Sequence, residues 1–158
     1  MVRDALMISM SYMIFGFITT YLCAQVPSIR LSRTESIIGT AMFIFGEWVN
    51  HHHHLILADL RSNSNNKSYK VPNRALFQYV WCPHYVGEII AFVAITLVAQ
   101  HILVLPFQVG SAMYLVVRAY STKQWYEARF PSAPKRACLV PYFYFHDDED
   151  EDEDDDLN

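Results

Sequence analysis

The sequence predicts an all-α fold, a multi-pass integral membrane helix bundle of about four spans in which the last two form a short hairpin. Three observations lead to this prediction. Hydrophobic residues make up 53% of the 158 residues, long apolar runs recur along the chain, and most charges fall in one loop region or in an acidic C-terminal tail. An apolar run of roughly 20 residues is the length that crosses a bilayer as a helix.

The acidic tail hides the charge of the rest of the chain. Residues 147–156 are an unbroken run of ten acids, which leaves six acids against 12 Lys and Arg, a formal charge of +6 for residues 1–146. A run of like charges repels itself and stays disordered. We therefore divide the chain into a membrane domain at 1–146 and a disordered, solvated acidic tail at 147–158.

The first predicted helix is apolar throughout, and the second is apolar only in its first part. Residues 5–26 carry no charge and are long for a cleaved signal peptide, which favours an uncleaved span. A short loop at 27–33 leads to a second helix from 36 to about 59, apolar to Phe45 and polar from Glu47 onward. That change marks the point at which the second helix leaves the membrane.

A polar loop and an apolar hairpin follow. Residues 62–74 are rich in Ser, Asn and Lys and predict an exposed loop, after which residues 75–80 return to the bilayer edge. Residues 89–117 are apolar but contain Gln100, Pro106 and Gly110, so two short helices meeting near 100–106 fit better than one. Basic residues flank this stretch on both sides, which favours the cytosolic side for both ends, both termini and the tail.

Polar side chains between apolar runs, from Asn50 to Glu88, are the most informative feature of the chain, because lipid tolerates such groups only when they pair, face water or hold a ligand. On one helix, Asn50 and His54 differ by about 40°, and Asn50 and Arg61 by about 20°. They form a stripe roughly 16 Å long. An amide, an imidazole and a guanidinium suit an extended, phosphate-bearing ligand.

Further polar pairs follow this stripe along the chain. His84 and Glu88 are four residues apart, so they share a helix face, and Arg118 and Tyr126 fall about 80° apart on the last helix. Simpler roles exist for each: basic residues can attract anionic lipid, Glu88 can stabilise a helix N-terminus, and Tyr126 can be an interfacial aromatic.

Metal and disulfide chemistry are not expected. The four consecutive histidines 51–54 point in four directions on a helix, and only pairs spaced three or four apart can share an ion. Cys23, Cys82 and Cys138 are odd in number and follow neither a disulfide framework nor a zinc spacing. Cys82 is interpreted as a small apolar filler at a helix entry.

Several short motifs together resemble the C-terminal half of the steroid 5α-reductase family, over about 100 of the 158 residues. In chain order they are Asn50-xxx-His54, Leu57-Ala58-Asp59-Leu60-Arg61, Tyr69-Lys70-Val71-Pro72, Leu76-Phe77-Gln78-Tyr79-Val80, Cys82-Pro83-His84-Tyr85-xx-Glu88, Trp125-Tyr126-xxx-Phe130 and Pro134-Lys135-Arg136. Each motif is weak alone, and their order and spacing are specific. Within the family, His54, the Pro83-His84-Tyr85 tripeptide and the ending at 141–144 look most like polyprenol (polyprenal) reductases.

The resemblance implies an integral membrane oxidoreductase of the endoplasmic reticulum that acts on a CH–CH group. It would use NADPH to reduce a carbon–carbon double bond conjugated to the carbonyl of a lipid, and no nucleic acid partner is expected. The polar loop at 59–83 would help to hold the cofactor. Transferred by motif, the cofactor-binding residues would be Asn50, His54, Arg61, Tyr69, His84, Glu88, Arg118 and Tyr126.

Two alternatives stay open. Very-long-chain trans-2-enoyl-CoA reductases share the Asn-xxx-His spacing. Family members also carry further N-terminal helices that supply the substrate pocket and an acid–tyrosine pair polarising the carbonyl, and this chain starts after that region. It could therefore be a non-catalytic membrane module that binds nucleotide, or that needs another membrane polypeptide to supply those helices. Tyr12, Tyr21 and Glu47 are candidates for replacing the acid.

Departures from the family pattern bear on the substrate. His84 stands where many steroid reductases have Asn, and Thr122 where they have His. The segment Asn73-Arg74-Ala75 lacks their usual pair of glycines. These changes disfavour a true steroid reductase more than they disfavour the family.

Overall fold

A computed structural model describes residues 2–25, 32–62 and 69–140. These residues form four α-helices and one short 3₁₀ helix at Ala75–Gln78. The helices are α1 (Val2–Ala24), α2 (Arg33–Ser62), α3 (Pro83–Ala99) and α4 (Val104–Arg129). Within these ranges the only extended pairing is an isolated parallel bridge between Val80 and Ala137. The all-α class is confirmed, while the acidic tail, residues 63–68 of the polar loop and residues 27–31 lie outside the described ranges.

The first two helices occupy the predicted positions but differ in length. α2 begins three residues earlier and ends three residues later than predicted, because Ser32 Oγ accepts a hydrogen bond from the Glu35 N–H (3.4 Å) and Arg61 lies in the last turn. A basic residue there opposes the negative end of the helix dipole. Over residues 2–25, 32–62 and 69–140, no helix has both the length and the apolar composition needed to cross a bilayer.

The break between α3 and α4 confirms the predicted hairpin. Gln100 ends α3 in the left-handed region (φ 47°, ψ 33°). Its side-chain amide accepts a hydrogen bond from the Ser32 N–H (2.6 Å) and donates one to the Ser32 carbonyl oxygen (2.8 Å), which ties the hairpin turn to the start of α2. Pro106 lies in the first turn of α4, where its missing N–H costs no helical hydrogen bond. Gly110 does not interrupt α4.

A buried cluster joins the start of α3 to the C-terminal segment. Trp81 and Cys82 pack with Ala119 of α4 and with Cys138 and Leu139. The Trp81 N–H donates to the Ala137 carbonyl oxygen (2.9 Å), and the Cys82 N–H donates to that of Cys138 (3.1 Å). The predicted filler role of Cys82 agrees with its complete burial, which raises the pKa of its thiol to about 12.

Candidate functional site

The site begins where α2 and α3 pack most closely. Gly46 of α2 and Gly87 of α3 face each other, and a Cβ atom on either glycine would lie 2.6 Å from the carbonyl oxygen of the other. Asn50 lies one turn beyond Gly46, so it meets α3 directly. Its Nδ2 donates to Glu88 Oε1 (2.8 Å) and to the His84 carbonyl oxygen (3.2 Å). The hydrogen bond thus joins Asn50 of α2 to Glu88 of α3, both of which the sequence predicts as site residues.

His84 lies at the centre of this region. Its ring centroid is 4.9 Å from that of His54 and 4.2 Å from that of Tyr85. Burial and the neighbouring His54 and His53 lower the pKa of His84 to about 3, so the imidazole is neutral at pH 7. Within the described part of the chain, its buried Nδ1 has no hydrogen-bond partner. A neutral ring with an unused nitrogen can bind a polar ligand group.

A cavity of about 390 Å³ lies beside His84. Two cationic residues, Arg61 and Lys70, are on its wall, together with aromatic and aliphatic side chains and with polar residues of α3 and α4. The lining residues are Leu57, Leu60, Arg61, Tyr69, Lys70, Phe77, Trp81, His84, Tyr85, Thr122 and Tyr126. The volume falls in the range of small-molecule and cofactor sites.

Four predicted site residues line this cavity, and the other four adjoin it. Arg61, Tyr69, His84 and Tyr126 are on its wall. Asn50, His54 and Glu88 reach it through their contacts with His84 and with one another. Arg118 interacts electrostatically with the lining residue Tyr85. The structure therefore brings the eight residues to one region at the junction of α2, α3 and α4.

Trp81 and Arg136 shape the cavity and were not predicted as site residues. The indole of Trp81 stacks on Tyr126 (4.9 Å between centroids, 12° between planes), and the Arg136 guanidinium lies 4.9 Å from the Trp81 ring centroid. Arg136 also donates to the Pro72 carbonyl oxygen (2.7 Å) and to Asn73 Oδ1 (3.1 Å). It thereby anchors the segment that carries Tyr69 and Lys70.

Three of the four histidines of α2 contact different aromatic or imidazole rings. His52 stacks on Trp48, His53 meets the Phe77 ring edge-on, and His54 contacts His84. In residues 2–25, 32–62 and 69–140, no three His, Cys, Asp or Glu side chains are grouped closely enough to hold a metal ion.

The residues present fit a nicotinamide dinucleotide. Arg61 and Lys70 offer positive charge for phosphate groups, as the guanidinium fork and the ammonium suit them. Asn50 and Glu88, with the unused His84 Nδ1, offer donors and acceptors for an amide. Burial raises the pKa of Tyr126, so this phenol stays protonated and can donate a hydrogen bond.

Comparisons with known proteins show which family the chain belongs to. The family model for 3-oxo-5-alpha-steroid 4-dehydrogenase matches residues 3–144. The chain is 31% identical over 133 residues to the Macaca fascicularis 3-oxo-5-alpha-steroid 4-dehydrogenase 2, covering 82% of this chain and 52% of that protein. The Homo sapiens enzyme of the same name is 31% identical over 130 residues, covering 82% and 50%.

A plant relative gives the same result. Steroid 5-alpha-reductase DET2 of Gossypium hirsutum is 29% identical over 149 residues, covering 87% of this chain and 57% of that protein. The chain thus spans about half the length of the curated relatives it matches. From the family match over 142 of its 158 residues, the chain belongs to the steroid 5α-reductase family, a family of oxidoreductases.

Proposed function

We propose that this chain binds NADPH in the cavity beside His84 and serves the reduction of a carbon–carbon double bond conjugated to a carbonyl in a lipid. One observation carries the proposal. The cavity wall carries two cations, Arg61 and Lys70, together with His84, whose carbonyl oxygen accepts a hydrogen bond from Asn50, the partner of Glu88. This set of groups suits a ligand that carries both phosphates and a neutral carboxamide.

Each group of residues has a separate task in this proposal. Arg61 and Lys70 bind phosphate, while Asn50, His84 and Glu88 orient the carboxamide. The bound cofactor supplies the hydride. The fully buried aromatic side chains of Phe77 and Trp81 exclude water from the reacting atoms.

The lipid is proposed to be a polyprenal, on the motifs that resemble polyprenal reductases. The relatives named for 3-oxo-steroids make a 3-oxo-steroid an alternative substrate, and the shared Asn-xxx-His spacing keeps a trans-2-enoyl thioester as another. We also propose a location at the endoplasmic reticulum membrane. Large apolar side chains exposed along α1, among them Phe17 (75%) and Tyr21 (67%), support contact with lipid.

A second candidate function is nucleotide binding without catalysis, as a module that works with another membrane polypeptide. It rests on the cations Arg61 and Lys70 of the same cavity and requires no reacting group of this chain. The two candidates share the nucleotide site and differ in turnover.

The nucleotide site is tested with two arginine variants. Arg61→Ala removes a cation from the cavity wall and should weaken NADPH binding about 10- to 100-fold, the cost of losing a charge-assisted hydrogen bond. Arg74→Ala is the matched control, because Arg74 is exposed and paired with Asp59 at 2.9 Å outside the cavity. Binding is measured by the fluorescence of NADPH on titration into protein in detergent micelles. Equal affinity of parent and Arg61→Ala would remove the phosphate role.

Turnover separates the two candidates. Parent protein with NADPH is offered a polyprenal, a 3-oxo-Δ4 steroid and a trans-2-enoyl thioester in turn. Consumption of NADPH with formation of the saturated product identifies the substrate class. Tight NADPH binding with no product from any of the three would instead support the non-catalytic module.

A further inference from the structure

The charges of this chain are divided between two parts of opposite sign. Residues 147–156, the acidic run, are ten consecutive acids, while the residues before them have a formal charge of +6. Several cations of the described residues lie at the cavity beside His84. Arg61 and Lys70 line it, and the Arg129 guanidinium lies 6.0 Å from the ring centroid of the lining residue Tyr69. The cavity is therefore a place where an anionic segment is attracted.

The cavity wall also contains hydrogen-bond donors that suit an anion. Trp81 and His84 line the cavity, and within the described residues Trp81 Nε1 and His84 Nδ1 are buried without a hydrogen-bond partner. Buried polar groups are nearly always hydrogen-bonded. An indole N–H only donates, and a carboxylate only accepts. A ligand rich in carboxylate or phosphate oxygens therefore complements both the cations and these ring nitrogens.

The C-terminal segment passes this cavity before the acidic run begins. The Ala137 carbonyl oxygen accepts a hydrogen bond from the N–H of the lining residue Trp81 (2.9 Å), and that of Cys138 accepts from the Cys82 N–H (3.1 Å). Asp147 follows Cys138 by nine positions. Nine residues span at most about 30 Å, so the connection is long enough to bring the acids to the cavity wall.

Tethering makes even a weak contact effective. A segment attached by a short stretch of chain has an effective concentration in the millimolar range at a nearby site. The acidic run therefore needs an intrinsic dissociation constant of only about 1 mM to occupy the cations for much of the time.

We propose that the acidic run binds at the cavity beside His84, with carboxylates on Arg61 and Lys70, and thereby competes with the nucleotide. The inference rests on the proposed nucleotide site and adds a regulation of that site by the chain itself. A guanidinium fork binds a carboxylate or a phosphate in the same bidentate manner, and an ammonium pairs with either anion. The carboxylates of the run and the phosphates of NADPH exclude each other because they use the same two cations.

The competition is tested in the full chain by changing all ten acids of 147–156 to their amides, which keeps the length of the tail. The matched control exchanges Asp for Glu and Glu for Asp over the same residues, which keeps the charge. NADPH fluorescence is titrated in non-ionic detergent at low salt. The amide variant should bind NADPH about 3- to 10-fold more tightly than the parent, and the control should bind as the parent does. At about 0.5 M salt the difference should vanish, because screening weakens contacts between exposed charges.

A second measurement detects the contact itself, because a negative tail repels NADPH even without touching the cavity. A carbodiimide joins a carboxylate to an amine with which it forms an ion pair, and Lys70 provides an amine on the cavity wall. Mass spectrometry of the treated parent should find the acidic run joined to Lys70. NADPH at about 100 times its dissociation constant should remove that product. Lys135 is the internal control, since it is exposed and does not line the cavity, so any product at Lys135 should not respond to NADPH.

The outcomes separate this inference from the nucleotide site on which it rests. Equal NADPH affinity of the parent and the amide variant at low salt overturns the inference, as does the absence of a Lys70 product or a Lys70 product that NADPH leaves unchanged. A product that joins two chains and decreases on dilution would place the run on a second copy, which also overturns the contact within one chain. Failure of the parent and both variants to bind NADPH would instead overturn the proposed function, and the Lys70 product would still test the contact.

Discussion

Gly46 of α2 lies directly against Gly87 of α3, with no room for a side chain on either residue. A Cβ atom on Gly87 would be 2.6 Å from the Asn50 backbone nitrogen and 2.6 Å from the Gly46 carbonyl oxygen. Both obstacles are backbone atoms, which cannot turn aside as a flexible side chain can. This contact sets the separation of the two helices, and hence the 2.8 Å hydrogen bond between Asn50 and Glu88.

We therefore predict that Gly87→Ala destabilises the protein by about 1–3 kcal/mol, the usual cost of overpacking, and weakens NADPH binding. Gly16→Ala is the control, because a Cβ atom there meets nothing within 4 Å. It should be neutral or stabilising, since alanine favours a helix over glycine. Thermal unfolding and NADPH fluorescence measure the two effects. A Gly87→Ala protein as stable as the parent would show that the helices are not in this contact.

The local sequence pattern was sufficient to predict the helices and the residues that share a helix face. Gln100 and Pro106 predicted the break between α3 and α4 because each affects the backbone at its own position. The angular spacing of Asn50 and Arg61 predicted that they share one face of α2. The periodicity of one helix does not predict which residues of another helix its apolar or polar face contacts. The Gly46–Gly87 contact and the Asn50–Glu88 hydrogen bond depend on such contacts between helices.

The Trp81–Arg136 contact shows the same limit over a longer distance in the chain. The two residues are far apart in sequence and meet because the C-terminal segment pairs with the entry to α3 through the Trp81 N–H and the Ala137 carbonyl oxygen. An isolated bridge has no strand-length alternation that a sequence pattern could reveal. Arg136 resembles any basic residue after a helix until that pairing is known.

Arg136 is predicted to stabilise the fold and the nucleotide site together. Arg136→Met removes the hydrogen bonds to the Pro72 carbonyl oxygen and Asn73 while keeping much of the apolar stem. We expect a loss of roughly 2–4 kcal/mol in the free energy of unfolding, because these bonds involve a charged donor and Arg136 is buried. NADPH affinity should fall too, since the anchored segment carries Tyr69 and Lys70.

Conservative and neighbouring variants separate this role from charge alone. Arg136→Lys should restore only part of the stability, because an ammonium cannot reproduce the guanidinium fork. The adjacent Lys135 is exposed, and Lys135→Met should change stability by no more than about 0.5 kcal/mol. Urea unfolding measures all three variants. Full rescue by lysine would contradict the proposed fork geometry.

The buried His84 predicts a pH dependence with a definite sign. Its pKa is about 3 in the folded protein, because burial and the nearby His54 and His53 disfavour the charged ring, against about 6.5 in the unfolded chain. Between these two values the unfolded state binds more protons, so stability falls as pH falls below 6.5. One such group contributes a slope of up to about 1.4 kcal/mol per pH unit.

We expect His84→Asn to flatten the stability profile between pH 6.5 and 4. The buried Val49→Ala variant is the control, since it should lower the free energy of unfolding by roughly 1–3 kcal/mol at each pH without changing that slope. Urea midpoints at several pH values give the measurement, and parallel profiles for the parent and His84→Asn would show that His84 is not buried in its neutral form.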